Sequence, residues 1–253
     1  MFNRYSALVD ENSIPFVRAA GDQRIVDSST NWTAGFGDAS GANLSDSDTL
    51  NLMGMCPFDT LSTGVDSPFC DLFTAEEYAS YEYYYDIDKY YGTGPGNTLD
   101  PVQGVGYVND LLARLTGRAV QDETQTNRTL DSDLATFPLS RTFYADFLHD
   151  NTMAPIFAAH GLVNSTALDP FSPGANRLWV NSKLVPFSGH MTVEKLDCSG
   201  KESVRVLMND AVQPLQFCGA VDGMCEFQAF VESQLYAREN GQGDFELCGF
   251  VPS

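Results

Sequence analysis

The chain has 253 residues, 34 acidic and 14 basic, for a formal net charge of −20. That balance excludes most nucleic-acid binders, which need a basic surface to displace counterions, and it argues against docking on anionic membranes. Hydrophobic residues make up 43%, with 17 Phe and 11 Tyr, so a packed core can form and wholesale disorder is disfavoured.

The opening MFNRYSALVDENSIPF has no basic region followed by an apolar run and does not read as a signal peptide. No stretch approaches the ~20 apolar residues of a membrane span. Between Arg24 and Lys89 there is no basic residue, which reads as a solvated acidic surface. GDASGANLSDSDT, residues 37–49, is small and polar, a loop or linker. Ser45 with Asp48 resembles a capping box before TLNLM. Thr74 with Glu77 is a better one, and it predicts a helix that carries Tyr78, Tyr81, Tyr84, Tyr85 and Tyr91 and stops at Gly92. The near-helical spacing of these rings makes core packing their default role. Asp100-Pro101 then places an N-cap before a first-turn proline. Val102, Val105, Val108, Leu111, Leu112 and Leu115 form one apolar face, and Gly117 ends that helix.

The character changes after Phe137-Pro138. Residues 142–148, TFYADFL, are β-prone and suit a buried strand. Residues 152–159 suit a helix despite Pro155 in the first turn. Residues 177–185 and 191–196 look like a hairpin, and Val204, Val206 and Met208 alternate as in a half-exposed strand. Strands cluster in the last third, after a helical block. The pattern predicts an α/β part and a separate α part.

The strand–His149-Asp150-Asn151–helix corner carries the most chemistry. In open α/β sheets, ligands sit beyond the carboxyl ends of strands, and a helix start there supplies free N–H groups that suit phosphate. On spacing alone, a His-Asp pair at a helix start is more often a capping arrangement. The six cysteines, Cys56, Cys70, Cys198, Cys218, Cys225 and Cys248, include no CxxC, so zinc and thioredoxin-type readings are weak. Sequons occur at Asn31, Asn43, Asn127 and Asn164. Acidic composition, few Lys, cysteines and sequons together point to a secreted protein. The missing signal peptide then points to a chain that has lost its beginning.

Several blocks occur in a family's order: SPFCDLFT (67–74), KYYGTGPGNTLDPVQGVGY (89–107), LLARLTG (111–117), ATFPL (135–139) and YADFLHDN (144–151). Together they resemble the fungal phytases, secreted members of the histidine acid phosphatase family. PFVRAAGDQRIVDSS (15–29) is similar to the family stretch that carries a phosphate-binding arginine, which maps onto Arg18. The family's HD pair maps onto His149 and Asp150.

The resemblance implies a two-step phosphoryl transfer through a phosphohistidine, with phytate as the small-molecule phosphomonoester and no metal or other cofactor. Asp150 would protonate the leaving alkoxide, while His149 and Arg18 would hold the non-bridging oxygens. A nearby phosphate dianion should raise the pKa of Asp150, which favours acidic operation. The family's nucleophile lies in R-H-G-x-R-x-P, and none of the three histidines, His149, His160 and His190, sits in such a motif. His160 reads as a helix-end residue and His190 as a surface strand residue. By analogy with the family, Cys56–Cys70 and Cys218–Cys225 are disulfides, and Cys198 and Cys248 are left unpaired. The alternative is that the last two pair with each other.

The expected fold is an α/β histidine-phosphatase-like domain (1–36 and 119–253) with an inserted all-α domain (42–118), incomplete at the N-terminus. The chain is read as a partial phytase-type acid phosphatase that is inactive alone. The alternative is a non-catalytic inositol-phosphate-binding relative of the same fold. Loss of the first strand of the family's sheet would expose an edge.

Overall fold

The computed structural model describes residues 46–174 and 176–249. Arg18, Arg24, the sequons at Asn31 and Asn43, and the Ser45 cap lie outside them. The chain forms two compact units, Met1–Tyr81 and Glu82–Ser253. They part inside a helix, whereas the sequence expectation ends the helical domain at residue 118.

In the first unit, α1 (Asp46–Thr63) is tied by the Cys56–Cys70 disulfide to a 3₁₀ turn over Pro68–Leu72. Ser67 caps that turn: its Oγ accepts from the Phe69 N–H at 3.2 Å and donates to Asp59 Oδ2 at 2.6 Å. α2 (Ala75–Gly92) starts on a reciprocal capping box. The Thr74 N–H donates to Glu77 Oε2 at 2.7 Å, and the Glu77 N–H donates to Thr74 Oγ1 at 3.3 Å. Of its tyrosines Tyr83 and Tyr90 are buried, while Tyr84 and Tyr91 stay exposed.

In the second unit a 3₁₀ turn over Asp100–Gly104 leads into α3 (Val105–Thr116), which stops at Gly117 with φ 67°. That left-handed conformation favours glycine. Asp100 does not cap as the sequence predicts; it is buried and its carboxylate accepts from the Gln103 amide. Short α4 (Arg128–Asp131), α5 (Asp150–Ala159) and α6 (Asn181–Leu184) follow. The sheet has β1 (Met191–Asp197), β2 (Glu202–Met208), β3 (Ala211–Val212) and β4 (Met224–Glu226), all paired antiparallel. β1 pairs β2 from Met191↔Met208 to Asp197↔Glu202, and β3 and β4 share the other edge of β2. α7 (Phe227–Ser233), α8 (Leu235–Arg238) and α9 (Asp244–Leu247) close the chain.

One core lies within the second unit. Val102, Val105, Val108 and Leu112 pack with Ala154 and Phe157 of α5, with Val204, Val206 and Met208 of β2, and with Phe230 of α7. The valines of β2 alternate inward along the strand, as their spacing predicts. α5 lies so close to the turn before α3 that a Cβ at Gly104 would run into the Pro155 carbonyl. The glycine permits the contact that seats α5.

Two expectations are corrected. Residues 142–148 form no helix and join no sheet among the described residues, and they are not buried: Phe143 is 81% and Phe147 97% exposed. β-propensity makes a strand only where a neighbouring edge supplies partners, and none of the described strands does so here. The hairpin is also misplaced. Residues 181–184 are helical, and β1 pairs with β2 instead. Arg177 and Asn181 are drawn to Asp86 of α2: Arg177 Nε donates to Oδ2 and the Asn181 N–H to Oδ1, each at 2.6 Å. These bonds to a fully buried carboxylate outweigh the strand propensity of the run.

Candidate active site

His149 is the N-cap of α5 in extended conformation, with no side-chain capping bond, and Asp150 is the first helical residue. A carboxylate at this position suits the positive end of the helix dipole. Half of the Asp150 side chain is exposed, 52%, so it opens to solvent. Its partner is Lys89, near the end of α2: Nζ lies 3.0 Å from Asp150 Oδ2 and also donates to Asn151 Oδ1. The lysine is itself mostly buried, with 15% of its side chain exposed. Partial burial works to raise the Asp150 carboxyl. The hydrogen bond from Lys89, the Asn151 N–H, and the positive charges of Lys89 and His149 outweigh it and hold the carboxyl below its ordinary value.

The approach to this corner is pinned from α3. Arg114 reaches Asp146 through Nη1 at 2.6 Å and Nη2 at 3.1 Å. Its guanidinium also stacks 5.1 Å from the Phe137 ring centroid and 5.0 Å from that of Tyr144. Two clefts flank this run. One of about 460 Å³ is lined by Phe147, Leu148, Met153 and His190 among others. The other, about 870 Å³, lies between residues 141–147 and β1. His149 and Asp150 line neither cleft.

The remaining candidate residues lie apart from the corner or serve other ends. His160 is the C-cap of α5, fully buried, with Nδ1 at 2.9 Å from Gln234 Oε1. Burial drives its pKa down to about 4, against the raising effect of that hydrogen bond. His190 precedes β1 and is exposed; its Nε2 lies 3.3 Å from Asp210 Oδ1. Cys218–Cys225 is a disulfide, whereas Cys198 and Cys248 are free and exposed. Asn127 caps α4, its Oδ1 accepting from the Thr129 and Leu130 N–H groups, and Asn164 is exposed. No helix among the described residues is long and apolar enough to cross a membrane.

His149 and Asp150 thus stand at the start of α5, beside a lysine to which the sequence pattern assigns no role. Comparison with known proteins sets the frame. Residues 38–209 match the family model of the histidine phosphatase superfamily, branch 2. The chain belongs to this family. Among curated relatives of this chain, Phytase A of Aspergillus terreus is 47% identical over 222 residues, covering 81% of this chain and 46% of the relative. Phytase A of Aspergillus oryzae is 45% identical over 217 residues, with the same coverage of 81% and 46%. The histidine phosphatase fold recurs in the crystal structure of the phytase from D. castellii. The TM-score is 0.66 and the identity 24%, covering 92% of this chain and 48% of that one. The chain spans about half the length of the curated relatives it matches.

Lys89 did carry a signal. It is the first basic residue after a long acidic stretch and opens the block KYYGTGPGN. A single cation kept in such a stretch is worth tracing to a carboxylate partner. Arg114 carried none, since an arginine on a helix that shows one apolar face is an ordinary surface residue until a partner is seen.

Proposed function

We propose that this chain supplies the proton donor and part of the phosphate cradle of a phytase-type acid phosphatase acting on phosphomonoesters such as phytate. The observation that carries the reading is the HD pair at the start of α5. The His149 side chain makes no capping bond, and Asp150 stands half open to solvent in the field of the helix N-terminus. In this reading His149 and Arg18 hold non-bridging oxygens, and Asp150 gives its proton to the leaving alkoxide oxygen as the P–O bond breaks. The attacking imidazole belongs to R-H-G-x-R-x-P, a motif this sequence does not contain. His160 cannot take that role, because it is buried and bonded to Gln234.

The two disulfides and the exposed sequons at Asn127 and Asn164 support a secreted, glycosylated form. The division into an α/β part (1–36 and 119–253) and an inserted helical part (42–118) belongs to the same proposal.

The test is to offer purified chain inorganic phosphate in a calorimeter and p-nitrophenyl phosphate in an assay, both near pH 5. Phosphate binding that His149→Ala weakens, with negligible turnover, is expected. Absence of phosphate binding would remove the site, and robust turnover would overturn the assignment of the attacking group. A purified chain that binds phytate specifically and never contributes to hydrolysis would favour the non-catalytic reading.

A further inference from the structure

A proton donor must hold a proton when the substrate arrives, yet the surroundings of Asp150 are built against it. Lys89 Nζ sits 3.0 Å from Asp150 Oδ2, and the same ammonium donates to Asn151 Oδ1. It is the only cation in salt-bridge reach of Asp150 among the described residues. His149 adds charge from the preceding position, and the Asn151 N–H adds a hydrogen bond to the carboxylate. At pH 5 a carboxyl with an ordinary value of about 3.9 is already less than about one-tenth protonated. A group held lower still is almost wholly ionised.

Lys89 is also confined. Its side chain is mostly buried, and it reaches the first turn of α5 from the last turns of α2, so it cannot swing far. An anion at the start of α5 would compete with Asp150 for this ammonium. The anion's own charge would disfavour a neighbouring carboxylate as well.

Resting on the phosphatase reading above, we infer that Lys89 is a positioning residue that keeps Asp150 ionised while the site is empty, and that a bound phosphate draws the ammonium away so that Asp150 takes up a proton from solvent. The proton that Asp150 later gives to the leaving oxygen is then acquired on binding. The carboxylate gains one proton from water, no bond to phosphorus changes in that step, and the loaded donor is confined to the occupied site. A purely structural role for Lys89, tying α2 to α5, would need none of this.

The experiment is a carbon-detected NMR titration of the Asp150 carboxyl in the full chain, assigned by its loss in Asp150→Asn. It is run on wild type, Lys89→Gln and Lys89→Arg, each with and without saturating inorganic phosphate. In wild type, Asp150 is expected to titrate below the ordinary range when empty and about a unit or more higher with phosphate. Lys89→Gln, which can still bond Asn151, should titrate high without phosphate and move little further when it is added. Lys89→Arg should restore the low empty-site value. Lys89→Met serves as a second charge-removing variant if Lys89→Gln does not fold. Equal titration in wild type and both charge-removing variants would overturn the inference, as would phosphate binding that leaves Asp150 unmoved. Failure to bind phosphate at all, seen separately by calorimetry, would overturn the phosphatase reading and the exchange step with it, while the empty-site comparison still tests the lock.

Discussion

Arg114 holds Asp146 in a two-pronged grip, 2.6 Å from Nη1 and 3.1 Å from Nη2, and this grip spans the distance from α3 to the run that leads into His149 and Asp150. Because residues 142–148 have no strand partner among the described residues, side chains must do what a backbone ladder would do. The guanidinium supplies two charge-assisted bonds and two stacked rings, Phe137 and Tyr144. A lysine offers neither the fork nor the flat face. Arg114→Lys is therefore expected to cost on the order of 2 kcal/mol, roughly 4–8 °C in Tm for a chain of this size. The sharper readout is limited proteolysis. Cleavage between Pro138 and His149 should rise well before global unfolding, and unchanged protection of that run would count against the argument.

What could be read from the sequence was what local chemistry decides. The Thr74–Glu77 capping box, the Gly117 stop and the inward valines of β2 each depend on a few adjacent residues, and each stands where the pattern puts it. The position of His149 and Asp150 at a helix start follows from the residues, whereas their proposed role rests on the resemblance, because such a pair has a bland capping meaning of its own. What failed depended on distant partners. The run 142–148 has the composition of a strand but lacks a neighbour, and residues 181–184 turn helical because Asp86, far away in sequence, accepts from the Asn181 N–H. Lys89 was missed for the same reason: its meaning lies in a carboxylate sixty-odd residues away.

The unpartnered run has a consequence for solubility. Phe143 and Phe147 are 81% and 97% exposed, and the outer edge of β1 has no partner strand among the described residues. Exposed rings beside a free edge invite pairing between copies. The chain is expected to self-associate at micromolar concentration in sedimentation velocity, and Phe147→Lys to shift it toward monomer without lowering Tm. Equal self-association in both proteins would show that this run is not the adhesive surface.

Asp110 of α3 makes stability fall as pH rises. Its Oδ1 is buried without a hydrogen-bond partner. Burial first and then the negative charge of Asp131 raise its pKa to about 7; Asp122 and Asp146 add to the rise, and Arg114 opposes it. The folded value lies above the unfolded 3.8, so the folded chain keeps a proton that the unfolded chain has lost. The stability this supplies is complete below pH 3.8 and drains away as pH climbs toward about 7. Asp110→Asn cannot ionise. Denaturant unfolding should find it close to wild type near pH 4 and more stable than wild type near pH 7. A difference that is the same at both pH values would rule out this titration.

His160 pulls the other way, and the two groups together set the pH response of the core. Burial lowers its pKa from 6.5 to about 4, the Gln234 hydrogen bond only partly opposing this. Its stability is therefore complete above pH 6.5 and is lost as pH falls toward about 4, because the unfolded chain takes up a proton that the folded one refuses. Between those values Asp110 contributes one proton to the folded side and His160 one to the unfolded side, so their slopes oppose. Each alone is at most about 1.4 kcal/mol per pH unit. Wild type should thus show a nearly flat contribution from this pair across mildly acidic pH. His160→Phe removes one arm whatever it costs by leaving Gln234 Oε1 without its partner, since the slope does not depend on that baseline. Its stability should fall steadily as pH rises from about 4 to 6.5, where Asp110→Asn rises. Parallel curves for wild type and both variants would show that neither buried group changes its protonation on unfolding.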